Sequence, residues 1–83
     1  MKFGLYAIKD AKSTFMPCNV DLNDQCAIRN FEHAVRQPDS LLASHPNDYS
    51  LCKLGEYDNE SGVIIPEIPY VLLTDAAAVL RKE

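Results

Sequence analysis

Apolar residues recur at helical spacing in one stretch of the chain, residues 23–37. The apolar positions are Ala27, Ile28, Phe31, Ala34 and Val35. This spacing places them on one side of an α-helix, which would bury that side against the rest of the protein. Pro38 follows directly and ends the helix. The helix start has two readings, with either Asp21 or Asn23 as the N-cap residue.

The chain before this helix predicts one strand and a long loop. Residues 2–9 alternate between two strand faces, one carrying Phe3, Leu5 and Ala7 and the other carrying Gly4, Tyr6 and Ile8. Because both faces are mostly apolar, the strand is either central in a sheet or has one face against a partner. Residues 10–22 show no clear period and contain turn-forming residues, so they are predicted to form a loop.

The chain after the helix predicts short elements separated by turns. Residues 39–42 suit one helical turn, capped by Asp39 or Ser40, and Gly62 suits a turn position with positive φ. The remaining elements are a hairpin formed by residues 50–57 and 62–66, a last strand over residues 70–73, and a final helix over residues 76–82 capped by Thr74 or Asp75.

Together these patterns predict an α+β fold in a single domain spanning residues 1–83. We expect a small sheet of three or four strands, antiparallel or mixed. The main helix, about residues 23–37, packs on one face of this sheet, and a short helix follows at the C-terminus.

Length and charge narrow the classes of function. A chain of 83 residues buries a modest core, so we expect a homo-oligomer, most simply a dimer. The net charge of −4, from 12 acidic and 8 basic residues, disfavours non-specific attraction to nucleic acid or anionic membrane. The apolar run of residues 3–8 is too short for a membrane span or a signal-peptide core. We therefore expect no membrane contact.

The chain shows no catalytic or metal-binding pattern. Its three cysteines, Cys18, Cys26 and Cys52, form no CxxC pair and suit a reducing cytoplasm. Spacings between them and the two histidines, His33 and His45, do not match a zinc site. No nucleophile, paired carboxylates or glycine-rich phosphate loop can be recognised. We expect no enzyme activity and no cofactor.

Two sets of residues are candidates for binding. Basic residues with aromatic residues nearby are typical of surfaces that bind single-stranded nucleic acid. This set comprises Arg29, Arg36, Lys9, Lys12, Lys53, Tyr6 and Phe15. The alternative for its members is surface ion pairing or closure of the core. Apolar and aromatic residues of a second set would contact another protein chain. This second set comprises Tyr6, Ile8, Phe15, Met16 and Tyr57.

Three segments together resemble one family of phage proteins. They are MKFGLYAIKDAKSTFMP, NDQCAIRNFEHAV and SLLASHPNDYSLCKLGEYDNESG, which follow one another over about residues 1–62. The chain resembles the small non-structural proteins of gokushovirus-type microviruses, which are single-stranded-DNA phages.

The resemblance implies a DNA-binding or non-structural role in the host bacterial cytoplasm. That role would fall at the switch from duplex replication to single-strand synthesis and packaging, and the family brings no catalytic motif. Two hypotheses follow. The protein is a phage accessory protein that binds single-stranded DNA, or it is an oligomeric adaptor for a phage or host replication or packaging protein without direct DNA contact.

Overall fold

The fold is built on a long central strand, β1 (Lys2–Asp10). The computed structural model describes residues 1–81 of the chain. β1 has an antiparallel neighbour on each side, β2 (Asn19–Asp21) and β3 (Tyr49–Asp58). The sequence of β1 is mostly apolar on both faces, as expected for a central strand.

The sheet has four strands in the order β2-β1-β3-β4, all antiparallel, which confirms the predicted α+β class. Two boundaries were predicted wrongly. β2 lies inside the predicted loop, and the strands predicted at 62–66 and 70–73 form one strand, β4 (Ile64–Asp75). β4 tolerates Pro66 and Pro69 because it is the outermost strand. One of its edges has no partner strand, so a missing N–H on that edge removes no hydrogen bond between strands. Its pairing with β3 runs through Pro66 and resumes at Val71.

The main helix, α1 (Asp24–Val35), begins as one of the two readings predicted. Asn23 is the N-cap, and its side-chain oxygen accepts a hydrogen bond of 2.9 Å from the backbone N–H of Cys26. The helix buries Ala27, Phe31 and Val35 against the sheet, as its apolar spacing predicts.

Three short elements complete the chain. Ser40 caps the short helix α2 (Leu41–Ser44), and a 3-10 turn (Pro46–Asp48) leads into β3. The last helix, α3 (Ala76–Arg81), starts at a cap formed by Asp75, whose carboxylate accepts from the N–H of Ala78 at 2.7 Å. The end predicted at Lys82 lies outside the described residues.

The core lies on one face of the sheet, beneath α1 and α3. Its buried members are Tyr6, Ala27, Phe31, Val35, Tyr49, Leu51, Ala76 and Val79. No helix among residues 1–81 packs on the other face, which we call the open face. In the register, the open face pairs Phe3 with Tyr57, Ala7 with Cys52 and Lys9 with Ser50. Ala7 and Cys52 are buried on this face, so only part of it is exposed.

Candidate functional site

One lysine and two aromatic residues meet on the open face. The ammonium of Lys9 donates a hydrogen bond of 3.0 Å to the hydroxyl of Tyr70. It lies 5.5 Å from the ring centroid of Phe15 and 5.4 Å from that of Tyr70. The two rings meet edge to face, with centroids 5.2 Å apart. These distances allow a cation–π interaction with both rings. We call Lys9, Phe15 and Tyr70 the Lys9 cluster.

A turn after β1 brings Phe15 to this position. The Asp10 carboxylate accepts hydrogen bonds from the N–H of Lys12 and the hydroxyl of Ser13, which closes the turn. The chain then runs back along β1, where Phe15 lies opposite Lys9 in an isolated antiparallel bridge. Tyr70 arrives from the other edge of the sheet, on β4.

The Lys9 cluster is cationic at neutral pH. The hydrogen bond to Tyr70 raises the pKa of Lys9, so the amine stays protonated. Cys52, fully buried on the same face, behaves differently. Burial raises the pKa of its thiol, although a hydrogen bond with Ser50 and the charge of Lys9 oppose this shift. A neutral buried thiol is a poor nucleophile.

A groove of about 410 Å³ lies beside the cluster and carries mixed charge. Lys9 and Arg81 line it, and so do Asp48 and Asp75. Asp75 is engaged in capping α3. The groove therefore offers a second cation, Arg81, in addition to Lys9.

The other basic candidates lie elsewhere. Arg29 is exposed on α1, and Arg36 donates a hydrogen bond of 3.1 Å to the carbonyl of Val79, joining α1 to α3. Lys53 forms an ion pair of 3.4 Å with Asp24 on the helix side of the sheet. Lys12 is exposed in the turn after β1. Of the predicted nucleic-acid set, the structure brings together Lys9, Phe15 and, nearby, Lys12.

Tyr6 and Ile8 require a correction as surface residues. Tyr6 is 1% exposed, and its hydroxyl donates a hydrogen bond of 2.5 Å to the Asp24 carboxylate. Ile8 packs against the core. Because α1 covers this face of β1, the Tyr6 side chain is not placed to stack on bases or to contact another chain, whereas Ile8 is half-buried. Burial, followed by the bond to Asp24, raises the pKa of Tyr6.

The remaining predicted contact residues lie at the surface or near it. Met16 is exposed and, with Phe31, lines a cavity of about 300 Å³ between α1 and the sheet. Tyr57 is half-buried on the open face, opposite Phe3. Sequence reasoning missed Tyr70, because the run around it reads as a buried strand. The two prolines nearby were the available signal, since prolines are typical of an edge strand.

Two features are absent from the described residues: a cluster of metal ligands and a helix that could span a membrane. Within residues 1–81, no group of three or more His, Cys, Asp or Glu side chains lies close enough to hold a metal ion. Among the helices of the same range, none has the length and apolar character needed to cross a membrane.

The geometry defines a class: small α+β proteins with an open antiparallel sheet and helices on one face only. The chain belongs to the Phage ORF5 protein family, whose model matches residues 3–79. This match confirms the phage part of the expected resemblance, while the narrower virus group and DNA binding stay predictions. The search of curated proteins and the search of solved structures each returned no match.

Proposed function

We propose that this phage protein is a non-enzymatic accessory protein that binds single-stranded DNA through the Lys9 cluster. Binding would serve genome replication or packaging of a gokushovirus-type microvirus in the host bacterial cytoplasm. The observation that carries the proposal is the ammonium of Lys9 lying beside two aromatic rings that contact each other on the open face of the sheet.

Physical chemistry supports this choice of ligand. Proteins that bind single strands combine a cation for the phosphate backbone with aromatic rings for unpaired bases. Phe15 and Tyr70 supply the rings, and Lys9 with Arg81 supplies positive charge. A net charge of −4 argues against wide electrostatic contact with duplex DNA, so a small local site fits the chain better.

The second candidate is an adaptor that binds a phage or host replication protein without touching DNA. It is favoured by the dispersal of Arg29, Arg36 and Lys53 away from the Lys9 cluster. In this case the open face would contact protein, and the aromatic residues would be its anchors.

Fluorescence anisotropy with a labelled oligothymidine tests the proposal at several salt concentrations. We expect binding that weakens steeply with salt, and a loss of about tenfold or more in affinity for Lys9→Glu. Lys2→Glu is the matched control, because it makes the same charge change at the far end of β1 and should bind nearly as the wild type does.

Two results would overturn the proposal. Absence of binding even at low salt would favour the adaptor. Binding that survives Lys9→Glu but is lost when Arg29 and Arg36 are both replaced by Glu would move the site to α1.

A further inference from the structure

The outermost strand, β4, exposes an unusual amount of apolar side chain. Ile68 is 86% exposed and Leu72 is 60% exposed. Their apolar neighbours are exposed as well, from just before the strand to near its end: Val63, Ile64, Ile65, Tyr70 and Val71. Between Ile64 and Leu72, Glu67 is the single charged residue. Edge strands usually carry several charges that prevent association, so this one is poorly protected.

The exposed residues are arranged symmetrically along the strand. The residue types on the two sides of Ile68 match: Ile65 and Val71 are each three positions away from it, and Ile64 and Leu72 are each four positions away. Two antiparallel copies centred on Ile68 would therefore bring apolar residues of one copy towards apolar residues of the other. Glu67 lies to one side of Ile68 only, so the two Glu67 carboxylates would not lie directly opposite each other.

The area is large enough for a stable contact. The exposed surface of these seven whole residues adds up to roughly 700 Å², spread over both faces of the strand. Each partner in a standard specific interface contributes about 800 Å². A symmetric strand and an adequate area together point to a second copy of the same chain, because a two-fold interface must be complementary to itself.

We propose that two copies of this chain associate through β4, about a two-fold axis that passes beside Ile68. Side-chain burial holds the contact. Pro66 and Pro69 have no N–H to donate, so a continuous hydrogen-bonded ladder between the two strands cannot form. Ile68, the most exposed side chain at the centre, is the anchor.

Sedimentation velocity over a range of protein concentrations tests the association. The wild type should sediment as a dimer, and Ile68→Asp should weaken dimerisation at least about a hundredfold, because two buried carboxylates would meet at the axis. Leu41→Asp is the matched control. Leu41 on α2 is 62% exposed, so the same change there should leave the dimer intact.

A cross-linking experiment tests the position of the two-fold axis. Its result cannot be explained by unfolding of a variant, because it looks for a bond that forms. In a chain with Cys18→Ser and Cys26→Ser, Ile68→Cys should be joined to its own copy by a short bismaleimide. Leu41→Cys in the same background should not be joined. A wild type that stays monomeric at the highest concentrations, or equal cross-linking of the two variants, would overturn the proposal.

The two proposals can fail separately. Lys9→Glu should still dimerise, since it removes the hydrogen bond to Tyr70 but leaves Ile68 and the apolar residues beside it unchanged. If β4 binds a different protein instead of a second copy, Ile68→Asp should not change the sedimentation of the purified chain. That result would contradict the dimer.

Discussion

Tyr6 shows how a single side chain can join the sheet to α1. Its ring lies over Gly4, where any added Cβ would collide with it, and its hydroxyl reaches Asp24 at the first position of the helix. Asp24 is also paired with Lys53 of β3. One hydrogen-bonded group therefore connects β1, β3 and the start of α1.

Removing the hydroxyl with Tyr6→Phe should lower the free energy of unfolding by about 1 kcal/mol, since Asp24 keeps Lys53 as a partner. The raised pKa of Tyr6 adds a pH effect. The unfolded chain loses this proton from about pH 10 upward while the folded chain retains it, so stability falls as pH rises beyond that point. Urea unfolding at several alkaline pH values should show a steeper fall for the wild type than for Tyr6→Phe. Parallel curves would contradict this account.

Gly55 is a second position where a small change of side chain should affect stability. A Cβ there would collide with the carbonyl oxygen of Ile65, a backbone atom that cannot rotate away. Gly55→Ala should therefore push β3 and β4 apart and destabilise the protein by about 1–3 kcal/mol, measured by urea unfolding. Asn59→Ala, at the exposed hairpin tip, serves as control and should change little.

At the scale of elements, α1 depends on its cap. Asn23→Ala removes the acceptor for the N–H of Cys26 and should cost about 1 kcal/mol in thermal or urea unfolding. Asn23→Ser should restore most of the loss, because a hydroxyl can accept the same bond. Gln25→Ala, an exposed change within the first turn, should be nearly neutral. A similar loss for Gln25→Ala would show that the loss in Asn23→Ala is not specific to the cap.

Helices were predictable here because their signals are local. The spacing of Ala27, Phe31 and Val35 and the Pro38 stop placed α1, and Asp75 before an alanine run placed α3. The strands were harder. Asn19–Asp21 is only three residues long, and its pairing with β1 is a tertiary contact that no local pattern carries.

The covered face of β1 was not predictable from alternation. Because Phe3, Leu5 and Ala7 are about as apolar as Gly4, Tyr6 and Ile8, the sequence does not say which set α1 will cover. Only Lys9 and Phe15 of the Lys9 cluster were predicted from the sequence, because the contact with Tyr70 depends on the tertiary structure. Phe15 and Tyr70 are 55 positions apart, and only the sheet brings them to one lysine.

For the whole molecule, the proposed dimer implies a stability that depends on concentration. A partner that binds only the folded chain stabilises it by mass action, so the thermal midpoint should rise with protein concentration. We expect this rise for the wild type and for Leu41→Asp, and a constant midpoint for Ile68→Asp. Differential scanning fluorimetry over a wide concentration range would measure it, and a wild-type midpoint that does not move would contradict the dimer.

The two borders of the sheet are very unequal. β2 offers three residues, whereas β4 offers twelve. In the proposed dimer both β4 strands are occupied, and the other edge strand, β2, is too short to pair with a third copy. The arrangement therefore prevents growth into fibres. The brevity of β2 would thus fix the size of the assembly, although β2 itself touches no neighbouring copy.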